Sequence, residues 1–529
     1  MLRCAGCRGS DQQGQHPVYK VIRTQASEGR FMRRSRKAQM RVSNSGANLS
    51  RRTLLQSAGW VMAGAALAPR VLVAADTISP VMTKLSTYMG EARNRELPPE
   101  VVEKAKRHTL DTLAAMVSGS ELPPGRAAIQ FARAYGGEKV ATVAGSNVLC
   151  GAIEAALANG VLAHSDETDD SHAPSQCHPG CAIVPAALAA GEHFGVDGTQ
   201  FLRAVALGYD IGPRVTMTMG GQAVMFKDHR SSHSIAGTFG AAAAAGCAAN
   251  LSAQQMRWML DYTAQEASGI ASWQRDTDHI EKGFVFAGMP ARNGVTAALL
   301  VHGGWTGVDD VFSGADNFLQ AFAPEANPSG LVEKLGERFE VTRTNIKKWT
   351  VGSPIQAGLD ALENLLKKRP LNPEQVQKII VRLPTSESTI VDNRTLPDIC
   401  LQHLIAVLLI DKTVTFRSAH DVARMQDPVT LRQRAKVQLV GDEELQRAFP
   451  AREAIVEVTL TDSTHLSERV NAVRGSAENP MSREEVVAKA RDLMTPVLGA
   501  AACNNLIEKV LAIESVKNIR ELRPLLQRS

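Results

Sequence analysis

Apolar stretches rich in alanine, repeated at helical spacing, constrain this chain more than any other feature. After Leu97-Pro98-Pro99 breaks the backbone, Val101, Val102, Ala105, Leu110, Leu113 and Ala114 recur on one face, the pattern of a helix with a single buried stripe. Further stretches follow at Ala152–Ala163, Ala182–Ala190, Phe201–Tyr209, Thr238–Ala248, Gln255–Ala267 and Ala291–Val301, most of them bounded by Gly, Pro, Asn or Ser. Aromatics make up only 5% of the chain, which suits close-packed helices better than a β-sandwich built on Val, Thr and Tyr. The expected fold class is mainly α, with a large all-helical domain over 76–344.

The pattern changes after Lys348. Val376–Leu383 and Ala454–Thr461 alternate with β-branched residues, whereas Gln356–Leu366 and Ile405–Ile410 keep helical character, so a smaller α+β domain is expected over 345–478. Ser482-Arg-Glu-Glu is a capping-box pattern and opens C-terminal helices, 479–529, that pack back on the helical domain. A chain of 529 residues has room for two such folded units and a tail.

Residues 1–75 read as a leader and signal peptide. Arg51-Arg52 precede a short Ala/Gly-rich apolar run from Ser57 to Ala68, and Val73-Ala74-Ala75 supplies a small-residue cleavage site. The run falls short of the roughly 20 apolar residues that span a bilayer, so no stable membrane anchor is expected. The arginine pair resembles a twin-arginine signal and implies export to the periplasm with cleavage after Ala75; Met40 is an alternative start. Much of the +5 net charge lies in this leader. The near-neutral body therefore presents no footprint for nucleic acid. Eight cysteines without framework spacing argue against a disulfide scaffold.

The densest polar chemistry runs from His164 through Asp166, Glu167, Asp169, Asp170 and Ser171 to His172, followed by Cys177-His178-Pro-Gly-Cys181, between two apolar helical stretches. Such a run is a solvated loop, a divalent-metal site or an acid–base site. Carboxylates and imidazoles are metal ligands, but no His-x-x-x-His or cysteine-pair spacing singles out a metal here, and acid–base work without metal or cofactor is the expectation. Two rival readings remain: a metal-dependent hydrolase or lyase using the 164–178 cluster, and a non-catalytic periplasmic protein that binds carboxylates. Cys177 and Cys181 read as packing residues, with pairing open in an oxidising compartment.

The string from Ala158-Asn-Gly through His164, Asp169-Asp170-Ser171, His178-Pro-Gly and Pro185 resembles the signature of the MmgE/PrpD family, whose members include 2-methylcitrate dehydratase. The likeness continues through Gly208-Tyr-Asp, Gly237-Thr-Phe-Gly, Lys282 with Gly288–Gly294, Gly303–Gly307, Lys347-Lys-Trp349 with Asp360-Ala361, and Leu404–Asp411. It implies a homodimeric, metal-independent lyase or isomerase, 2-methylcitrate dehydratase-like, that abstracts a proton beside a carboxylate of a small di- or tricarboxylic acid. The family's Asp-x-Asp-Asp-Thr motif falls on Glu167, Asp169, Asp170 and Ser171, its following histidine on His178, and its lysines on Lys282 and Lys347. A second family histidine has both His229 and His233 as candidates, with Ser231 at the usual offset. A family tyrosine falls on His403 and a family histidine on Gln356.

The resemblance thus implies catalytic roles for His178, Asp170, Ser171, Lys282, Lys347 and His403. Glu167, Asp169, His172, His233 and Arg292 are the expected substrate-binding residues. Histidine suits base and acid work because its ordinary pKa is about 6.5, and the lysines and Arg292 would meet substrate carboxylates. His178 is the expected base and His403 the expected donor to the leaving group or returning proton. Activity is expected to fall below roughly pH 6, where a base of ordinary pKa is protonated.

Overall fold

The computed structural model describes residues 78–528; the proposed leader and signal peptide lie outside them. The fold is mainly α. The longer helices are α1 (Pro80–Glu91), α2 (Pro99–Gly119), α3 (Pro123–Tyr135), α4 (Ala152–Ala163), α5 (Gly180–Phe194), α6 (Gly198–Thr218), α7 (Ser232–Ala248), α8 (Ala253–Glu266) and α9 (Met289–His302). After these come α10 (Gln356–Lys368), α11 (Leu401–Asp411), α12 (Arg483–Leu498) and α13 (Ala500–Leu511). Each expected helical stretch is helical, with Gln255–Ala267 ending at Glu266.

Helix α7 is apolar all round and buried along its whole length, as a central core helix must be. Its alanines and glycines leave room for α6 and α9 to pack against it. The approach of α6 is close enough that a Cβ on Gly212 would lie 2.3 Å from the carbonyl oxygen of Ala236, so only glycine fits there. The helix running from Ile280 to His302 is long and apolar enough to cross a membrane, but 72% of its apolar window is buried in this core.

Buried apolar side chains form two clusters. The first draws on residues from Met82 to Ile346 and then on Met481 to Leu526. The second runs from Trp349 to Val470 around a sheet of order β4-β3-β5-β6, in which β3 (Val376–Pro384) pairs parallel with β4 (Val437–Asp442) and antiparallel with β5 (Ala454–Leu460), itself antiparallel to β6 (His465–Val470). A short β1–β2 pair, Ala141–Thr142 with Leu149–Cys150, lies in the helical part. The central strands β3 and β5 follow the predicted alternation. The edge strands β4 and β6 went unpredicted, because β6 shows residues with exposed side chains at every second position and carries little apolar signal.

The C-terminal helices begin where the capping box predicts. Ser482 accepts from the Glu485 amide and Glu485 accepts from the Ser482 amide. Helix α12 then lies along α2 and buries Lys489, whose Nζ stands 2.7 Å from Asp111 Oδ1 and donates to the Thr168 carbonyl at 2.9 Å. This ion pair has almost no solvent around it. Replacing Lys489 by Met would leave the Asp111 carboxylate uncompensated, a loss of about 3–5 kcal/mol. Denaturant unfolding should show this loss, with Lys489→Met/Asp111→Leu recovering much of it; a single variant as stable as the parent would remove the pair from the stability account.

Candidate active site

The polar run forms the loop between α4 and α5. It enters at His164, the C-terminal cap of α4, and ends where Gly180 begins α5. Far from being solvated, it is buried: His164 and Asp169 are 0% exposed and Glu167 5%. Burial obliges every carboxylate here to find partners.

Asp170 faces backwards into the helices. It accepts from Tyr209 Oη at 2.5 Å and from the Gly180 amide at 2.9 Å, and meets His108 Nδ1 at 2.7 Å. A Cβ on Gly180 would come within 2.5 Å of Tyr209 Oη and 2.8 Å of Asp170 Oδ1, so a glycine opens α5 on this carboxylate. Both of its oxygens are thus engaged within the helices, on the side away from His178 and the lysines, where the expected catalytic role would not place them. His172, expected to bind substrate, has both ring nitrogens engaged by the protein, with Ser175 Oγ at 2.7 Å and Glu340 Oε2 at 3.2 Å.

Asp169 and Glu167 face the other way. Asp169 Oδ1 lies 3.1 Å from His178 Nδ1, 3.0 Å from His164 Nδ1 in poor alignment, and 3.7 Å from Lys347 Nζ. Glu167 Oε1 is in direct contact with Lys282 Nζ, and its carbonyl accepts from Lys347 Nζ at 2.6 Å. Lys347 and Lys489 thus hold two successive carbonyls of the loop. Burial would raise both acids, but Lys282 and Lys347 outweigh it at Glu167, and His164 and His178 outweigh it at Asp169, so both sit well below the usual carboxylate range.

Around these acids stand imidazoles. His178 and His233 lie 5.2 Å apart by ring centroid, as do His164 and His178, and His164 and His279. Phe286 stacks on His233 at 3.7 Å and on His164 at 4.5 Å, and meets Trp273 edge-on at 4.6 Å. A π-helical turn, Phe284–Gly288, carries Phe286 into this position; such turns are frequent at functional sites. Burial pushes His178 down to about 4, with Asp169 resisting, and His279 down to about 3; His233 also lies well below its ordinary value for the same reason. Those three rings are therefore neutral at pH 7.

The structure resolves the choice between His229 and His233, since His229 is exposed at φ 56° and His233 is buried against His178. His403 is not brought to the cluster. It lies inside the second apolar core, with Arg434, Arg424 and Asp421 as its charged surroundings, and burial followed by those arginines lowers it to about 4. Arg292 bonds Asn293 Oδ1 at 2.9 and 3.1 Å and its field falls on Glu266, so it does not clamp substrate here. Ser171 pairs through its backbone with Asn345 and lines a cleft of about 380 Å³ together with Lys347 and Arg343. Cys177 and Cys181 are free and buried, and burial raises both thiols.

Sequence reasoning missed His279 and His420. His279 adopts φ 66° one turn before Lys282. His420, from the smaller part of the fold, places Nε2 3.0 Å from Asp166 Oδ2, with Asp398 nearby. Neither carries a local motif; only the folded chain brings them to the loop.

Two groups have the donor types of a divalent-metal site: His164, Asp169 and His178, and His164, Glu167 and His279, each with its ligand atoms within 4.8 Å of one another. The lysine ammonium groups already balance the same carboxylates.

Burial lowers His420, but the hydrogen bond and charge of Asp166, with Asp398, outweigh it and hold the ring at about 9 against an ordinary 6.5. A raised pKa in the folded state stabilises the fold fully below the unfolded value, and that contribution is lost as pH rises through the folded value. Melting temperature should therefore decline between pH 6.5 and about 9, and His420→Gln should flatten that decline. An equal decline in the variant would exclude this pair as its source.

Sequence profiles of the MmgE/PrpD N-terminal and C-terminal domains match residues 83–330 and 349–513. Among curated proteins, the chain is 23% identical over 477 residues to cis-aconitate decarboxylase of Aspergillus terreus, covering 85% of this chain and 96% of that protein. It is 25% identical over 454 residues to cis-aconitate decarboxylase of Homo sapiens, covering 82% and 91%. A cis-aconitate decarboxylase-like protein of Aspergillus oryzae is 27% identical over 306 residues, 55% of this chain; the match spans only 62% of that relative. With both domain profiles matched in order, the chain belongs to the MmgE/PrpD family, a family of lyase type.

Proposed function

We propose that this enzyme removes a proton beside a carboxylate of a small organic acid and that His178 is the base. The observation that carries this reading is the 3.1 Å contact of His178 Nδ1 with the buried Asp169 carboxylate. An ionised carboxylate only accepts, so Nδ1 carries the proton and the Nε2 lone pair is left for substrate. Asp169 fixes the tautomer and stabilises the imidazolium as it forms.

The low proton affinity of the free ring has a consequence. At about 4, His178 is wholly in its base form at neutrality but weak as a base. A substrate carboxylate beside it would raise its affinity, so basicity develops where it is used. Ionised carbon beside a carboxylate needs a cation, and Lys347, with a side chain only 2% exposed beside Asp169, supplies one in a site where charge is poorly screened. His233, across the ring from His178, is the second acid–base group. His403 takes no part.

Proton exchange in heavy water across a panel of hydroxy and unsaturated acids reads the carbanion step whatever the product. His178→Ala should lower that exchange by about 10²–10⁴-fold with the fold intact. A variant within about threefold of the parent is far outside that range and would pass the role to His233. Neutral His178 is required in the free enzyme, so kcat/KM, which reads the free-enzyme ionisation, should fall as pH drops through about 4, and not through 6 as an ordinary histidine predicts. An acid limb at pH 6 would contradict the burial argument.

A metal-assisted reading draws on the His164, Asp169 and His178 group. Dialysis against a chelator separates the two. Activity should persist, because lysines meet the carboxylates; loss restored by a divalent ion would move the chemistry onto metal.

A further inference from the structure

We propose that Arg343 and Arg452 are specificity-determining residues: two guanidinium forks in the cleft beside the loop, which hold the carboxylates of the substrate remote from the carbon that loses its proton. This rests on the proposed reading of the loop as the place of proton abstraction. Arg292, the arginine expected to meet substrate, turns to Asn293, and the cleft supplies two that no sequence motif marks.

The cleft, of about 380 Å³, is of the size that takes a small ligand. It is lined by four cations, Arg343, Lys347, Arg452 and Arg474, against one acid, the exposed Glu478. Such a lining attracts polyanions. The cleft adjoins the reacting loop through Lys347, whose Nζ stands 3.7 Å from the Asp169 carboxylate that orients His178. Its two proposed anchors come from different parts of the fold. Arg343 ends the short 3-10 turn Glu340–Arg343 beside the first apolar core, and Arg452 leads into β5 of the second.

The four cations differ in the donors they have left. Every nitrogen of the Arg474 guanidinium is engaged, Nε and Nη2 by Glu485 and Nη1 by Asn479. Lys347 has its charge met by Asp169 and Glu167 at 3.7 and 3.8 Å and donates to the Glu167 carbonyl, so it adds donors to the cleft but no net charge. Arg343 donates through Nη1 to Glu340, which also accepts from Arg338; its Nε and Nη2 have no hydrogen-bond partner among the described residues. Arg452 meets Glu387 through Nε at 3.1 Å, and its Nη groups have no hydrogen-bond partner among the described residues. A guanidinium carries five donors in a planar fork that matches a carboxylate, so each of these two arginines can hold a protein acid at one edge and a substrate carboxylate at another. Ser353 is an independent sign of a ligand. It lines the same cleft at 5% exposure, and its Oγ is buried without a partner among the described residues, as a hydroxyl that bonds a bound oxygen would be.

Titration calorimetry of the full chain with pentanoate, glutarate and tricarballylate tests this, since the three share one carbon chain and differ in carrying a single, a second and a third carboxylate. The parent should bind the better of the two polyacids at least about tenfold more tightly than pentanoate, the scale of a charge-assisted bidentate pair. Arg343→Gln and Arg452→Gln should each weaken that polyacid by about tenfold and move pentanoate by less than about twofold. Arg343→Lys and Arg452→Lys keep the charge that Glu340 and Glu387 need but lose the fork, and should fall between parent and Gln variant. If a Gln variant fails to fold, its Lys counterpart decides through the same ratio of polyacid to pentanoate. Pentanoate bound as tightly as the polyacids, no binding of either polyacid, an unchanged ratio in either arginine variant, or an equal weakening of all three acids, as a merely structural role predicts, would each overturn the assignment. Polyacids bound in the expected order by a chain that exchanges no proton on any acid of the heavy-water panel would sink the proton-abstraction reading and leave the two arginines their role.

Discussion

The rest of this structure depends on burying a run of carboxylates inside an alanine-rich helical core. Between His164 and His172 the chain places acids where water is nearly excluded, and each must be met by a proton donor or a cation from elsewhere. Asp170 is met by Tyr209, His108 and the start of α5. Asp169 is met by His178 and His164, Glu167 by Lys282, and Asp166 by Thr168 and His420. The loop therefore has one face that anchors it and another that presents chemistry. Neighbouring residues, Asp169 and Asp170, take opposite parts because their side chains leave the backbone toward different neighbours.

This arrangement gathers distant segments into one unit. Lys347 and Lys489 hold adjacent loop carbonyls although they lie on either side of the second apolar core in sequence. His420 reaches in from that second core's side. The imidazoles are crowded against Phe286, and the same burial that orders them lowers the proton affinity of His178, His233 and His279. On the proposed reading, substrate recognition and base strength are linked, since negative charge arriving beside the rings would raise their proton affinity further.

The helical architecture was legible because apolar periodicity reports burial directly, and α4 follows the predicted Ala152–Ala163 stretch. The central strands β3 and β5 were legible for the same reason, while β4 and β6 hid behind polar edge positions. At the site, the family resemblance singled out His178, Glu167, Lys282 and Lys347, which the structure brings together. Asp170, His172, His403 and Arg292, also expected at the site, turn to other partners or lie in other surroundings, because a position in a motif does not say which way a side chain turns. Tyr209 stood in the Gly208-Tyr-Asp string, but nothing local says that its hydroxyl reaches Asp170. His279 and His420 left no trace, since contacts between residues this far apart are made only by the completed fold.

The central claim is that Asp169 holds a neutral, oriented His178 at the heart of the site. Nitrogen-15 NMR titration of the histidine rings, with His178 assigned by its absence in His178→Gln, reads this most directly. The account predicts a ring protonated on Nδ1 alone through neutrality, gaining its second proton only near pH 4. A His178 signal that titrates near the ordinary 6.5, or that shows the proton on Nε2, would contradict it.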